Sequence, residues 1–209
     1  KNSSLPILAG TLLSNKKVRI LNLPKVKDIE TMILLLRSLG SNVKFNKKKK
    51  LIDIDNSENI KTFASYNLVK TMRAGILVLG PLLAKYKKAT TSLPGGCLIG
   101  ARPVNYHLSA LKKLGVKYHI RKGYIYAKVN KNLIGTEINF SKISVGATEN
   151  SIMAACLAKG RTLIKNCAIE PEIKDLTNFL KKAGAKIKWI GKRTVQIEGK
   201  NSLNKVKYT

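Results

Sequence analysis

With 209 residues and 44% apolar side chains, the chain is long enough to bury a hydrophobic core of one or two domains. Its 40 Lys and Arg side chains against 11 Asp and Glu give a formal net charge of +29. Because the lysines are spread along the whole chain and only Lys47–Lys50 form a run, we attribute this charge to overall composition and do not expect nucleic acid as a partner.

Three further classes are excluded by simple patterns. No apolar run approaches the ~20 residues that span a bilayer, so we expect no membrane partner. The first residues, KNSSLPILAG, lack the basic region of a signal peptide. The cysteines Cys97, Cys156 and Cys167 are odd in number and lack metal-like spacing, which predicts reduced thiols in the cytoplasm and no metal site.

One pattern occurs three times along the chain. An amphipathic helix ends at a glycine and leads into an alternating strand in Ile33–Phe45, Leu108–Ile120 and Leu176–Ile190. The closing glycines are 75 and 69 residues apart. Lys47–Lys50 lie between two strand-like segments, where we expect a solvated hairpin turn.

Each repeat reads as helix, strand, loop, helix, strand, strand. This order fits neither a four-helix bundle nor a βαβ nucleotide-binding fold. We therefore predict an α/β (α+β) domain of three units of about 70 residues, with the helices in a shared core and the sheets outside. The approximate repeat boundaries are 1–66, 67–135 and 136–209.

The second repeat differs from the others in the loop after its first strand, SLPGGCLIGARPV. An extended loop in one repeat alone indicates function there. Cys97 lies among its glycines, and Arg102 follows five residues later, where a basic group favours a reactive thiolate. An incidental loop cysteine remains the alternative. Cys156, in a helix, and Cys167, at a strand end, are interpreted as core residues.

Two other segments suit anions. Arg73 begins an apolar helix, where it can bind phosphate or carboxylate unless it is an ordinary surface arginine. In Ser141–Asn150, a strand leads into a helix whose N-cap is predicted at Thr148 or a neighbour. That turn suits a phosphate or is a simple helix cap. His107 suggests no role, and His119 is interpreted as a structural residue of a strand.

Several motifs together resemble one enzyme family. They are KNSSLPIL, LPKVKDIETM, LVKTMRAG, SLPGGCLIGARPV, SVGATEN and EPEIKDLTNFLKKAGAKI. In this order they closely resemble the UDP-N-acetylglucosamine 1-carboxyvinyltransferases, which catalyse the first committed step of peptidoglycan synthesis. The resemblance implies the inside-out α/β barrel of enolpyruvyl transferases. It also implies that the chain is the first of two domains, with the second as its partner.

The resemblance implies an activity and its residues. The enolpyruvyl group of phosphoenolpyruvate would pass to the 3-hydroxyl of UDP-N-acetylglucosamine without a cofactor or metal. Cys97 corresponds to the family's proton donor and site of a covalent adduct, and Lys1 and Arg102 to residues that hold phosphoenolpyruvate. Residues that correspond to the nucleotide-sugar site are Lys1, Asn2, Arg73, Arg102, Pro103, Val104, Asn105, Tyr106, Lys142, Ile143, Ser144 and Val145.

One residue departs from the family pattern: Asn105 stands where the family commonly has Asp. A neutral amide can still accept a hydrogen bond, so the difference concerns the role of Asn105 and not the substrate. The competing class of function is a basic module that binds nucleic acid or other anions.

Overall fold

The predicted order of elements is present three times in the computed structural model, which describes residues 2–57, 59–70, 72–93 and 104–209 and, for Arg73, the backbone alone. The first repeat contains α1 (Ser4–Gly10), a 3-10 helix (Thr11–Leu13), β1 (Val18–Ile20), α2 (Lys27–Ser38), β2 (Asn42–Asn46) and β3 (Leu51–Asp55). The second contains β4 (Phe63–Ala64), α3 (Tyr66–Val69), a 3-10 helix (Arg73–Val78), α4 (Leu79–Tyr86), β5 (Lys88–Ser92), α5 (Asn105–Lys113), β6 (Lys117–Arg121) and β7 (Tyr124–Lys128). The third contains β8 (Glu137–Asn139), α6 (Val145–Ala155), β9 (Arg161–Lys165), α7 (Pro171–Lys182), β10 (Lys186–Gly191), β11 (Thr194–Glu198) and β12 (Val206–Tyr208).

The three closing glycines end their helices in the same way. Gly40, Gly115 and Gly184 have φ values of 100°, 97° and 97°, a region that side chains with a Cβ rarely adopt. After each one, the next amide bonds to a carbonyl five residues back, as from Ser41 to Leu36. This is the Schellman motif, and it turns the chain from each outer helix into the edge strand of its sheet. The hairpin at Lys47–Lys50 is also confirmed, since these residues form the turn between β2 and β3.

Each repeat has a four-stranded sheet, and the three sheets have equivalent strand orders: β12-β1-β3-β2, β4-β5-β7-β6 and β8-β9-β11-β10. The first strand of each order is two or three residues long and pairs in parallel with its neighbour. The sequence did not predict these short strands, because so few residues show no alternation. β4 precedes residue 67 and joins the sheet of the second repeat, and β12 completes the sheet of the first.

The helices α1, α4 and α6 lie in the core. In α6 every residue from Ala147 to Ala155 is buried. A Cβ built on Gly10, at the end of α1, would lie 3.6 Å from Met153 Sδ, near the end of α6. Lys85, near the end of α4, donates to the carbonyl of Ser14, just beyond α1, at 2.8 Å. The three core helices therefore run in the same direction, and the prediction of a helical core with the sheets outside is confirmed.

Candidate functional site

The starts of the core helices lie at one end of the domain. Asn2 is an exposed residue just before α1, Arg73 opens the 3-10 helix that leads into α4, and Ser144 precedes α6. Free backbone amides and the positive ends of the helix dipoles favour anions at such positions. Three segments that the sequence assigned to a nucleotide-sugar site are thus brought to the same end.

The start of α5 joins this group through its contact with α6. A Cβ on Gly146 would lie 3.1 Å from His107 Cε1, so the glycine permits the close approach of the two helices. His107 follows directly on the predicted residues Val104, Asn105 and Tyr106, of which Asn105 is exposed and the other two are half-buried. These residues therefore lie beside the start of α6.

Asn150 holds these elements together. Its side-chain oxygen accepts from the Gly80 amide at 2.7 Å, and its nitrogen donates to the Ile76 carbonyl at 3.0 Å. The same nitrogen lies 3.0 Å from His107 Nδ1. One fully buried amide thus connects α6 to α4, to the preceding 3-10 helix and to α5. Sequence reasoning missed Asn150; its signal was a polar residue within a helix of small and apolar residues.

The helix cap at this end is Ser144, not Thr148, so that prediction was wrong by one helical turn. Ser144 has an extended backbone, and its hydroxyl accepts from the Ala147 amide at 3.4 Å. Thr148 lies inside the helix, where its hydroxyl donates to the Ser144 carbonyl and accepts from the Ala168 amide. Of the other predicted residues here, Lys142 and Ile143 are exposed and Val145 is half-buried.

A buried acid lies one turn into α6. Glu149 is 5% exposed, and burial, together with the charges of Glu172 and Glu170, raises its pKa to about 8. Glu170 itself has a buried carboxylate oxygen with no hydrogen-bond partner among the described residues. Burial and nearby negative charge both disfavour the ionised form of a carboxyl group, so Glu149 retains its proton near neutral pH. These three acids were not among the site residues predicted from the sequence.

The remaining predicted residues divide into two groups. Lys1, Cys97, Arg102 and Pro103 lie outside the described residues, as does the side chain of Arg73. The interpretation of Cys156 and Cys167 as core residues is confirmed: both are free and buried, and burial raises the pKa of each thiol to about 12. His119 is exposed on β6 and stacks on Tyr126.

Two properties of the described residues bear on other functions. In these ranges, no group of three or more His, Cys, Asp and Glu side chains is arranged to hold a metal ion. The helices in the same ranges are all too short or too polar to cross a membrane.

Comparison with known proteins assigns the fold and the motifs to one family. Residues 1–209 match the family described as EPSP synthase (3-phosphoshikimate 1-carboxyvinyltransferase). The chain belongs to this family.

Individual members of the family resemble the chain closely. A Pelagibacter ubique (strain HTCC1062) protein named UDP-N-acetylglucosamine 1-carboxyvinyltransferase is 66% identical over 209 residues, which are 100% of this chain and 50% of that protein. A protein of Ruthia magnifica subsp. Calyptogena magnifica with the same name is 53% identical over 208 residues, 100% of this chain and 49% of its own length. The chain thus spans about half the length of the curated relatives it matches.

Solved structures support the same fold. The enolpyruvyl transferase NikO from Streptomyces tendae superposes with a TM-score of 0.87 at 18% identity, covering 100% of this chain and 49% of that one. An EPSP synthase from Acinetobacter baumannii gives 0.75 at 14% identity, with coverages of 98% and 47%. The predicted enolpyruvyl transferase-like fold is confirmed.

Proposed function

We propose that the chain is the first of two domains of a UDP-N-acetylglucosamine 1-carboxyvinyltransferase that acts in the cytoplasm in peptidoglycan synthesis. One observation carries the proposal: a relative of that name is 66% identical over the whole chain. The second domain would correspond to the half of each relative that this chain does not span. Two buried free thiols agree with a reducing compartment.

The proposed reaction is an addition followed by an elimination. The 3-hydroxyl group of UDP-N-acetylglucosamine gives up its proton to a base and its oxygen forms a bond to C2 of phosphoenolpyruvate, while the methylene carbon takes up a proton from an acid. Phosphate then leaves from C2, and the new methyl group loses a proton to regenerate the double bond. The resemblance assigns the proton donation to Cys97, which can also form a covalent adduct with the substrate. No metal or cofactor enters this sequence.

Both substrates are anions, and the described site suits anions. The starts of α1, of the 3-10 helix Arg73–Val78 and of α6 present backbone amides at the same end of the domain. The diphosphate of the nucleotide sugar would bind near Ser144 and Val145. Val104–Tyr106 would contact the nucleoside, and Lys1 and Arg102 would hold phosphoenolpyruvate, as the resemblance implies.

Binding can be tested on this chain by NMR titration with UDP-N-acetylglucosamine at fixed salt. We expect shifts in the amides of Val104–Tyr106 and of Ser144–Val145, and smaller shifts with an adenosine diphosphate-sugar. Asn105→Ala should weaken binding, whereas Asn139→Ala, an exposed residue of β8, should not. Equal shifts with both nucleotide sugars would instead support a non-selective anion-binding module.

Catalysis can be tested by phosphate release from phosphoenolpyruvate. We expect little turnover by this chain alone. In the proposed enzyme the active site lies in a cleft between the two domains, and one domain alone cannot exclude water or hold the reacting groups together. Addition of the second domain in trans should restore turnover.

In the presence of both domains, Arg102→Lys should reduce the rate about tenfold or more, because the planar guanidinium group of arginine is lost. Arg161→Lys, at an exposed position of β9, is the control. A full rate of phosphate release by this chain alone would refute the proposal that both domains are needed for catalysis.

A further inference from the structure

The edge strand β6 of the second sheet is open to pairing. Within the described ranges, β6 pairs with β7 alone, at the end of the order β4-β5-β7-β6. All five of its residues are exposed. In an edge strand, alternate backbone amides and carbonyls point away from the sheet, where they can bond to another extended chain.

The two faces of β6 differ in chemistry. Lys117, His119 and Arg121 lie on the outer face, opposite Lys128, Tyr126 and Tyr124 of β7. Tyr118 and Ile120 lie on the inner face, opposite the buried Ala127 and Ile125, yet they are 38% and 49% exposed. The edge therefore offers cations on one side and uncovered apolar groups on the other.

In the other two sheets, the inner faces of the equivalent edge strands are covered. Val43 in β2 and Ile187 in β10 each follow their closing glycine by three residues, as Tyr118 does, and each is 7% exposed. Phe45 and Trp189, equivalent to Ile120, pack against the core. The outer helix also differs in length, since α5 has nine residues whereas α2 and α7 have 12 each.

The charge around β6 is of one sign. No Asp or Glu occurs between Glu58 and Glu137, so every charged side chain of this segment is Lys or Arg. Lys112, Lys113 and Lys122 are exposed close to β6 in sequence. The described part of the second repeat therefore has no internal acid to neutralise the edge, and an anionic partner is favoured there.

We propose that β6 binds an extended acidic segment of a partner protein, which pairs with the strand and enlarges the sheet. Along the bound segment, acidic side chains would face Lys117 and Arg121, and the alternate, apolar side chains would cover Tyr118 and Ile120. Main-chain hydrogen bonds would supply affinity, and the alternation would supply specificity.

A second copy of the chain and single-stranded nucleic acid fit β6 less well than an acidic segment does. In an antiparallel pair of two β6 strands centred on His119, Lys117 would face Arg121, so a second copy of the chain is opposed by like charges. Single-stranded nucleic acid needs free aromatic faces. On this sheet Tyr124 stacks on Phe63 and Tyr126 on His119, with ring centroids 5.5 and 5.0 Å apart.

The test uses the 209-residue chain and a fluorescein-labelled peptide that alternates Glu and Val. A peptide of identical composition, with its Glu and Val residues in separate blocks, is the control for charge alone. Fluorescence anisotropy at physiological salt should give a Kd about tenfold or more lower for the alternating peptide. The alternating peptide should also slow hydrogen exchange of the β6 amides.

Two matched pairs of variants locate the site. Ile120→Glu should raise the Kd about tenfold, whereas Ile190→Glu, at a site 50% exposed in β10, should leave it within about twofold. Arg121→Glu should weaken binding likewise, and Lys188→Glu in β10 should not. Equal binding of both peptides, or equal effects of the β6 and β10 variants, would overturn the proposal. It would also be overturned if an oligothymidylate bound more tightly and lost binding through the same β6 variants.

Discussion

Asn150 fixes the tautomer of His107. The amide oxygen of Asn150 accepts from the Gly80 backbone, so its nitrogen must be the atom that faces His107 Nδ1 at 3.0 Å. An amide nitrogen only donates, so Nδ1 is the acceptor and the ring proton lies on Nε2. Burial also lowers the pKa of His107 to about 4, which keeps the imidazole neutral near pH 7.

We predict that Asn150→Ala lowers the free energy of unfolding by about 3 kcal/mol, because it leaves several buried polar groups without partners. The groups affected are the Gly80 amide, the Ile76 carbonyl and His107 Nδ1. Urea denaturation measures the change. Asn178→Ala, at an exposed position of α7, should have little effect. Similar losses for both variants would contradict the connecting role of Asn150.

We predict that His107 makes the fold less stable as the pH falls from 6.5 to about 4. In this range the unfolded chain binds a proton at this side chain and the folded chain does not. Stability should therefore be retained above pH 6.5 and decline below it, by up to about 3 kcal/mol relative to His107→Gln. His119→Gln should follow the wild-type curve. Identical pH curves for the wild type and His107→Gln would refute this prediction.

We predict that Glu149 has the opposite effect on the pH dependence of stability, making the fold less stable as the pH rises. Its folded pKa of about 8 exceeds the ordinary value of 4.5, so the folded chain binds the extra proton between these values. Relative to Glu149→Gln, the wild type should lose about 1.4 kcal/mol of stability for each pH unit above 4.5, until about pH 8. Glu198→Gln, at an exposed site in β11, is the matched control. Parallel curves for the wild type and Glu149→Gln would mean that the carboxyl ionises normally.

The cysteines should differ in reactivity. Cys156 and Cys167 are fully buried with pKa values raised to about 12, so neither is a thiolate at pH 8. After brief exposure to limiting iodoacetamide, we expect label on Cys97 and almost none on the other two. Mass mapping of peptides gives the distribution. Label mainly on Cys156 would contradict the proposed role of Cys97.

The sequence predicted the elements that show a regular spacing of apolar residues or end at a glycine. The amphipathic helices and their closing glycines Gly40, Gly115 and Gly184 were evident because each pattern extends over several turns. The short parallel strands were not, because Phe63–Ala64 and Val206–Tyr208 are defined by a neighbour distant in sequence and not by local alternation.

Only part of the candidate site was predicted, because some of its residues lie in recognisable motifs and others are defined by contacts with distant residues. Residues within recognisable motifs, such as Ser144 and Asn105, were identified from the resemblance. Asn150, His107 and Glu149 were missed because their importance depends on burial and on partners from other helices. No single-residue pattern distinguishes a buried asparagine with three partners from an ordinary polar residue of a helix.

The strand β12 has a consequence for synthesis of the protein. Val206–Tyr208 provide the parallel neighbour of Val18–Ile20, almost the whole length of the chain away. During synthesis on a ribosome, all strands of the second and third sheets are made before β12. Until β12 is made, one edge of β1 has no partner strand. Of these three repeats, the first is thus the last to complete its sheet, and its exposed edge is open to wrong pairing during translation.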